Sequence, residues 1–345
     1  MAELLEFSDA DAALDHYIEH FSDGLPVVLP TERRVAQLLA ATTREPDFDL
    51  GAVPPGGARL TVRDVAVNAV LAGCPAPAFP IALTAVEAAL EPAFNLNGIQ
   101  STTHSATPLI VVSGPAAARA GMNASFNAFG PHNRANAAVG RTLRLVMANV
   151  GGGLPGKTDM SVQGSPAKYT FCAAENLEQS PWPSLAEREG YAPGTTSVTL
   201  MAAEDGHVVA DHRSADPERL LENVADVMRA LGTLNACLPG PMTLALCPQH
   251  ARIVANAGWS VADVQRFLYE RAANSLERLT ASGEFDRART LGVAARYGDP
   301  GDPRTRVPVI DAPESLIVCV VGASTGGFST VVPSWLASRP VHRPV

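Results

Sequence analysis

The chain carries five cysteines, at positions 74, 172, 237, 247 and 319, odd in number, widely spaced and free of any C-x-x-C pair. A disulfide framework or a structural zinc site would need paired or clustered thiols, so these read as reduced cysteines. In GCPAPAF, Cys74 directly precedes Pro75. Proline suits the first position of a helix, which would set the thiol at a helix N-terminus, where free amides favour the reactive thiolate. Cys172 lies in KYTFCAAEN, residues 168–176, whose alternation reads as a strand. Tyr169, Phe171 and Ala173 would face one way, Thr170, Cys172 and Ala174 the other, with Glu175 and Asn176 at the end. Cys237, Cys247 and Cys319 lie in apolar runs and read as core, the usual fate of a free cysteine.

Groups that could move protons or orient a substrate cluster between these two thiols. Asn95, Asn97, Gln100, Ser101, Thr102, Thr103 and His104 crowd ahead of a strand at Leu109, and GPHNRAN opens a helix at Asn133. His104 and His132 fall within this cluster and are preferred over His207, His212 and His250, although most isolated histidines serve as structural hydrogen-bonding groups. His104 and Glu175 are the candidates for proton transfer. Arg134 and Arg141 are seven apart and share a helix face at about 100° per residue, with Arg144 flanking it. That face could hold a carboxylate or phosphate, or be a solvated basic stripe. With Asn123, Ser125, His132, Asn136, Lys168 and Asn176 it forms the expected binding set for a small polar or anionic molecule.

One motif matches a known pattern in full. Gly151 to Thr158, GGGLPGKT, satisfies G-x-x-x-x-G-K-[ST], the loop whose amides cradle nucleotide phosphates. Such a loop must leave a strand and open a helix, whereas this one follows a helix ending near Asn149 and precedes a stretch without helical periodicity. It reads as a connector. G-x-G-x-x-G is absent, and no hydride-transfer or other cofactor is indicated; VVGASTGGFS near the C-terminus is a glycine-rich turn that could line a site.

The elements that must position these groups follow from hydrophobic period. Thr31–Thr43, Thr61–Gly73 and Pro80–Leu90 have helical spacing, so the first ninety residues read as helical, broken by the Pro/Gly loop GAVPPGGAR. Leu109–Ser113, Ser197–Ala202, Met242–Leu246 and Leu316–Val321 are short β-rich runs of the kind that form buried strands. Helical stretches at 133–149, 217–231 and 261–279 lie between them. The expected fold is α/β, a mixed sheet with flanking helices and a helical N-terminal region. PLIVVSGPAAARAGMN and MTLALCPQHARIVANAGWS repeat the order strand, proline turn, helix, glycine, which suggests two related βα halves, with units near 108–150 and 241–280; any two strand–turn–helix segments would also look alike. The domain reading is an N-terminal helical segment and linker over 1–60 and an α/β catalytic-type domain over 61–345.

Composition sets the outer limits. Hydrophobic residues make up 46% of 345 and charged ones 18%, the balance of a chain able to bury a core. A net charge of −9 without a Lys/Arg cluster excludes nucleic acid as a partner. No apolar run reaches the ~20 residues of a membrane span, and MAELLEFSDADAALDH lacks the features of a signal peptide, so a cytoplasmic location is expected.

Several segments together carry a family resemblance: DGLPVVLPTERRV, VAVNAVLAGC, NLNGIQSTTHSATPLIVVSGP, FGPHNRANAAVGRTLRL, KYTFCAAENLEQSPW, HARIVANAGWSVADVQRFLYERA and VVGASTGGFSTVVPSW. Over nearly its whole length the chain resembles a bacterial family similar to the large partner, or fused domain, of the UGSC proteins, named for a selenocysteine–Gly–Ser–Cys motif. The resemblance implies chemistry linked to a thiol or selenol, with a small UGSC-type redox protein supplied by another chain, since the motif is absent here. Two positions depart from it: GKT stands where Gly-Glu is expected, and His132 where an aromatic residue or glycine is commoner. The expected function is a cysteine-dependent enzyme of carbon–sulfur or carbon–heteroatom lyase or redox type, with Cys74 or Cys172 as the thiol. A non-catalytic substrate- or partner-binding subunit is the alternative from another class; a metal-dependent hydrolase or hydratase using His104, His132 and Glu175 is a third. A homo-oligomer is compatible with all three.

Overall fold

The computed structural model describes residues 5–281 and 292–345, which form an α/β fold built on two four-stranded sheets. The chain divides into two compact units, the first made of residues 1–175, 186–202 and 337–345 and the second of 176–185 and 203–336. Residues 1–60 fall within the first unit.

In the first unit the N-terminal helices start where side chains cap them. Asp9 accepts from the Ala12 N–H ahead of helix Ala10–Phe21, Thr31 accepts from the Arg34 N–H ahead of Glu32–Leu39, and Thr61 with Asp64 forms a capping box ahead of Val62–Leu71. The apolar helix Phe79–Ala89 is buried along most of its length and packs, with Val62–Leu71, on helix Arg134–Asn149. The expected loop at GAVPPGGAR is the turn of an antiparallel hairpin, Asp49–Val53 with Ala58–Thr61. Behind the helices lies a sheet in the order Val341–Pro344, Ser197–Ala203, Thr107–Ser113, Cys172–Ala174. The last two strands are parallel, with Ile110 opposite Cys172. Ser197–Ala203 is buried at every position, as expected for an interior strand covered on both faces.

The strand expected over 168–176 is shorter. Pro166–Lys168 is a single 3₁₀ turn and only Cys172–Ala174 joins the sheet. Proline opens that turn, and the Lys168 ammonium is drawn to Asp159 at 2.7 Å, holding the chain off the sheet edge. GGGLPGKT is a connector: the chain leaves helix Arg134–Asn149 and runs through turns with no helix following. Gly151 is there for space, since a Cβ would meet the carbonyl oxygens of Met147 and Pro54 at 2.6 and 2.7 Å, whereas Gly152 and Gly156 have room but take φ 71° and 73°.

The second unit holds a sheet in the order Leu316–Val320, Met242–Leu246, Phe328–Val332, His207–Ala210. Its first two strands are parallel and the others pair antiparallel. Helices Pro217–Met228, Pro248–Asn256 and Val261–Arg271 bury Leu220, Val224, Val254, Val264 and Leu268 against Leu244, Val318 and Val331. Each such side chain contributes roughly 1.5–3 kcal/mol on burial. The helix expected over 261–279 breaks after Arg271, where Ala273–Ser275 pairs antiparallel with Arg306–Pro308, and resumes as Leu276–Ala281.

The two sheets repeat one order of elements. Strand Thr107–Ser113, helix Pro115–Arg119, helix Arg134–Asn149 and parallel strand Cys172–Ala174 match strand Met242–Leu246, helix Pro248–Asn256, helix Val261–Arg271 and parallel strand Leu316–Val320. Counting each repeat with the strands that follow it, each sheet then takes its outer strand from the other repeat. Ser197–Ala203 is followed by His207–Ala210 of the second sheet, and Phe328–Val332 by Val341–Pro344 of the first.

Candidate functional site

The residues singled out in the first unit mostly build the fold. Cys74 is buried, and Pro75 does not open an α-helix: it caps a single 3₁₀ turn, Ala76–Ala78, ahead of the helix at Phe79. No α-helix amides therefore face the thiol, which burial pushes up to about 12 despite the nearby Arg134 guanidinium. Cys172 is buried in turn, and burial, with Cys74 close by, pushes its thiol up too against the Gly140 backbone N–H. The two cysteines thus come together, but as neutral thiols.

The polar set is consumed by structure in the same way. Asn136 Nδ2 donates to the carbonyls of Asn123 and Ala128 while its Oδ1 accepts from the Asn123 N–H at 2.8 Å. Asn123 Oδ1 accepts from the Ser125 N–H, and Asn133 Nδ2 donates to the carbonyls of Asn127 and Gly130. These bonds fix the loop ahead of helix Arg134–Asn149, in which His132 is exposed at φ 70°. Arg134 Nε donates to the Gly73 carbonyl at 3.0 Å. Arg141 clamps Asp23 at 2.7 and 2.8 Å, and its charge and hydrogen bonds outweigh burial to hold Asp23 below the usual carboxylate range. Glu175 is buried, accepts a short hydrogen bond from the Ser113 hydroxyl and lies 3.5 Å from Arg188, tying the ends of two parallel strands. His104 lies on the segment before Thr107, its carbonyl accepting from Ser161 Oγ at 2.7 Å. Among the described residues no three His, Cys, Asp or Glu side chains gather as metal ligands, so His104, His132 and Glu175 are not brought into such a set.

In the second unit, a thiol read as core, Cys247, sits beside a histidine that lowers its pKa. Cys247 caps helix Pro248–Asn256 directly after strand Met242–Leu246, with Pro248 at the first helical position and His250 at the third. His250 Nε2 lies 2.8 Å from the Asp211 carbonyl oxygen, which only a ring N–H can satisfy. The proton is thereby fixed on Nε2, leaving Nδ1 to accept on the side facing Cys247 and Ser329. Ser329 Oγ accepts the Cys247 backbone N–H at 3.0 Å and lies 2.7 Å from His250 Nδ1. Burial opposes ionisation of Cys247, but the His250 ring, the His250 backbone N–H and the Ser329 hydroxyl outweigh it and bring the thiol down to about 7. His250 shifts the opposite way: burial works against protonation, and the Cys247 sulfur with the Asp211 carbonyl raises it. The two groups therefore shift in opposite directions, the thiol down and the imidazole up, each favouring the charged form of the other.

The surroundings hold this arrangement. The Asp211 carboxylate accepts from the N–H groups of Arg213 and Ser214, the Ser214 hydroxyl and Asn223 Nδ2, so its carbonyl is fixed in place. Gly327 backs onto the imidazole; a Cβ there would stand 2.8 Å from His250 Nε2. Asn176, expected at the site, holds the glycine-rich turn at Gly322, donating from Nδ2 to the Gly322 carbonyl at 2.8 Å.

The matching turn of the first unit shows what is specific here. There Gly114-Pro115-Ala116-Ala117 replaces Cys247-Pro248-Gln249-His250, and the Thr196 hydroxyl accepts the Ala116 N–H at 2.8 Å much as Ser329 accepts that of Cys247. Gly114 has φ 125°, and a Cβ would run into Thr196, so no thiol can stand there. The signal for Cys247 was present in sequence, a cysteine before proline with histidine two residues beyond. No protein-family model matches the chain, and no curated protein matches its sequence.

Proposed function

We propose that the chain is an enzyme acting on a small polar or anionic molecule by cysteine-dependent chemistry, with Cys247 as the reacting thiol instead of Cys74 or Cys172. The observation that carries this reading is that one of the two matching turns holds a cysteine whose backbone N–H bonds Ser329 Oγ, the same hydroxyl that lies 2.7 Å from an imidazole of fixed tautomer. The Cys247 proton passes to His250 Nδ1, and the thiolate attacks an electrophilic carbon of the substrate. A carbon–heteroatom bond breaks, and the departing atom takes the proton back from Nδ1. A second thiol or selenol, such as that of a small UGSC-type partner, then displaces Cys247 from carbon. Ser329 positions the imidazole, and exclusion of water from the pair strengthens the attraction between thiolate and imidazolium.

Mass-spectrometric mapping after brief exposure to iodoacetamide at neutral pH tests this. Cys247 should be alkylated ahead of the other four cysteines, and C247S should lose the fast phase while keeping its circular-dichroism spectrum. Equal, slow labelling of all five thiols would favour the non-catalytic binding subunit.

A further inference from the structure

We propose a second ligand site in the second unit, for a small molecule bearing phosphate groups, in a cavity of ≈ 430 Å³ lined by Arg229, Arg271, Arg278, Arg304 and Arg306. The chain as a whole carries a net charge of −9, yet five guanidiniums from four separate segments converge here. Bringing like charges together costs free energy unless an anion joins them.

Three of the five have local reasons to be present. Arg229 and Arg271 stand at the C-terminal ends of helices Pro217–Met228 and Val261–Arg271, where a cation answers the helix dipole. Each also has a carboxylate, Arg229 with Asp226 and Arg271 with Glu222 at 3.0 Å, while Arg304 pairs with Asp302 at 2.9 Å. Arg278 and Arg306 are different: among the described residues neither is paired with a carboxylate. The fold sets them beside each other through Ser275, which is the ladder partner of Arg306 and whose Oγ accepts the Arg278 N–H at 3.2 Å. Arg306 Nη2 donates to the Arg271 carbonyl at 3.0 Å, and Arg271 stacks over Phe267 at 5.4 Å, so these two side chains are held in place before any ligand arrives. Glu222 and Glu277 also line the cavity, and Glu222 is taken up by Arg271 at 3.0 Å.

The chemistry of the occupant follows. A carboxylate offers one planar edge and satisfies one fork. A phosphoryl group spreads its charge over three oxygens and accepts from forks arriving on different sides. The volume lies within the roughly 300–1,000 Å³ of small-molecule sites.

Titration calorimetry with inorganic pyrophosphate at low salt, run beside citrate as a carboxylate of comparable charge, tests the proposal. Pyrophosphate should bind more tightly than citrate. R278A/R306A should weaken it by about tenfold or more for each charge-assisted hydrogen bond removed, with an unchanged melting curve in buffer. R278K/R306K should recover only part of the affinity, because an ammonium lacks the fork. Absence of pyrophosphate binding, equal affinity in R278A/R306A, or citrate binding as tightly as pyrophosphate would each overturn the assignment.

Discussion

Three cysteines of this chain show how the same side chain is given different chemistry. Cys74 and Cys172 meet in a dry interior, and burial lifts both thiols out of the physiological range. Cys247 is as buried, but His250 and Ser329 reverse the outcome. The alkylation rate of Cys247 should therefore rise with pH through a midpoint near 7, since the thiolate is present above that value and lost below it. In H250N the imidazole is gone while burial stays, so the midpoint should move upward by about one unit or more, read from the rate against pH. Part of this was legible in the sequence. A cysteine before a proline occurs at both 74 and 247, but Pro77 follows the first and His250 the second, so only the second has a base one helical turn away. The remainder was not legible, because Ser329 and the Asp211 carbonyl reach His250 across 79 and 39 residues of chain.

At the level of elements, apolar period revealed the buried strands at 107–113, 197–203, 242–246 and 316–320 and the capped helices, because those segments are decided by their own burial and their own end residues. It failed where a distant partner decides. Residues 273–275 continue a helical pattern yet pair with 306–308, and the edge strands His207–Ala210 and Val341–Pro344 are too short and too mixed in polarity to announce themselves. The strand start at Gly327-Phe328 is the element on which the candidate site depends most closely. G327A adds a methyl group against the Asp211 carbonyl and 2.8 Å from His250 Nε2. It should lower stability by about 1–3 kcal/mol, seen as a drop in melting temperature, and slow Cys247 alkylation at pH 7 by displacing the ring.

For the whole molecule, the expected α/β class holds, while its division into two units cuts across sequence order. The last nine residues belong to the first unit. Val341–Pro344 pairs with Ser197–Leu200, Arg343 bonds Glu87 and Glu91 at 3.1 and 2.9 Å, and Asn95 and Ser338 add bonds to the carbonyls of Ala337 and Phe94. Deleting residues 337–345 should therefore loosen the N-terminal part of the chain. Limited proteolysis should show faster cleavage between residues 79 and 203, with the segment 242–271 protected as before; uniform protection of both regions would contradict this.

That exchange of outer strands also governs how the chain can be made. A sheet whose neighbours arrive in sequence can close as it leaves the ribosome, but here Ser197–Ala203 must wait with one edge unpaired until Val341 has been translated. An open, wholly buried-type strand is a template for pairing with another nascent chain, so slow synthesis or a stalled ribosome between these points exposes the protein to aggregation. The same feature means that no single cut in the gene releases either unit intact.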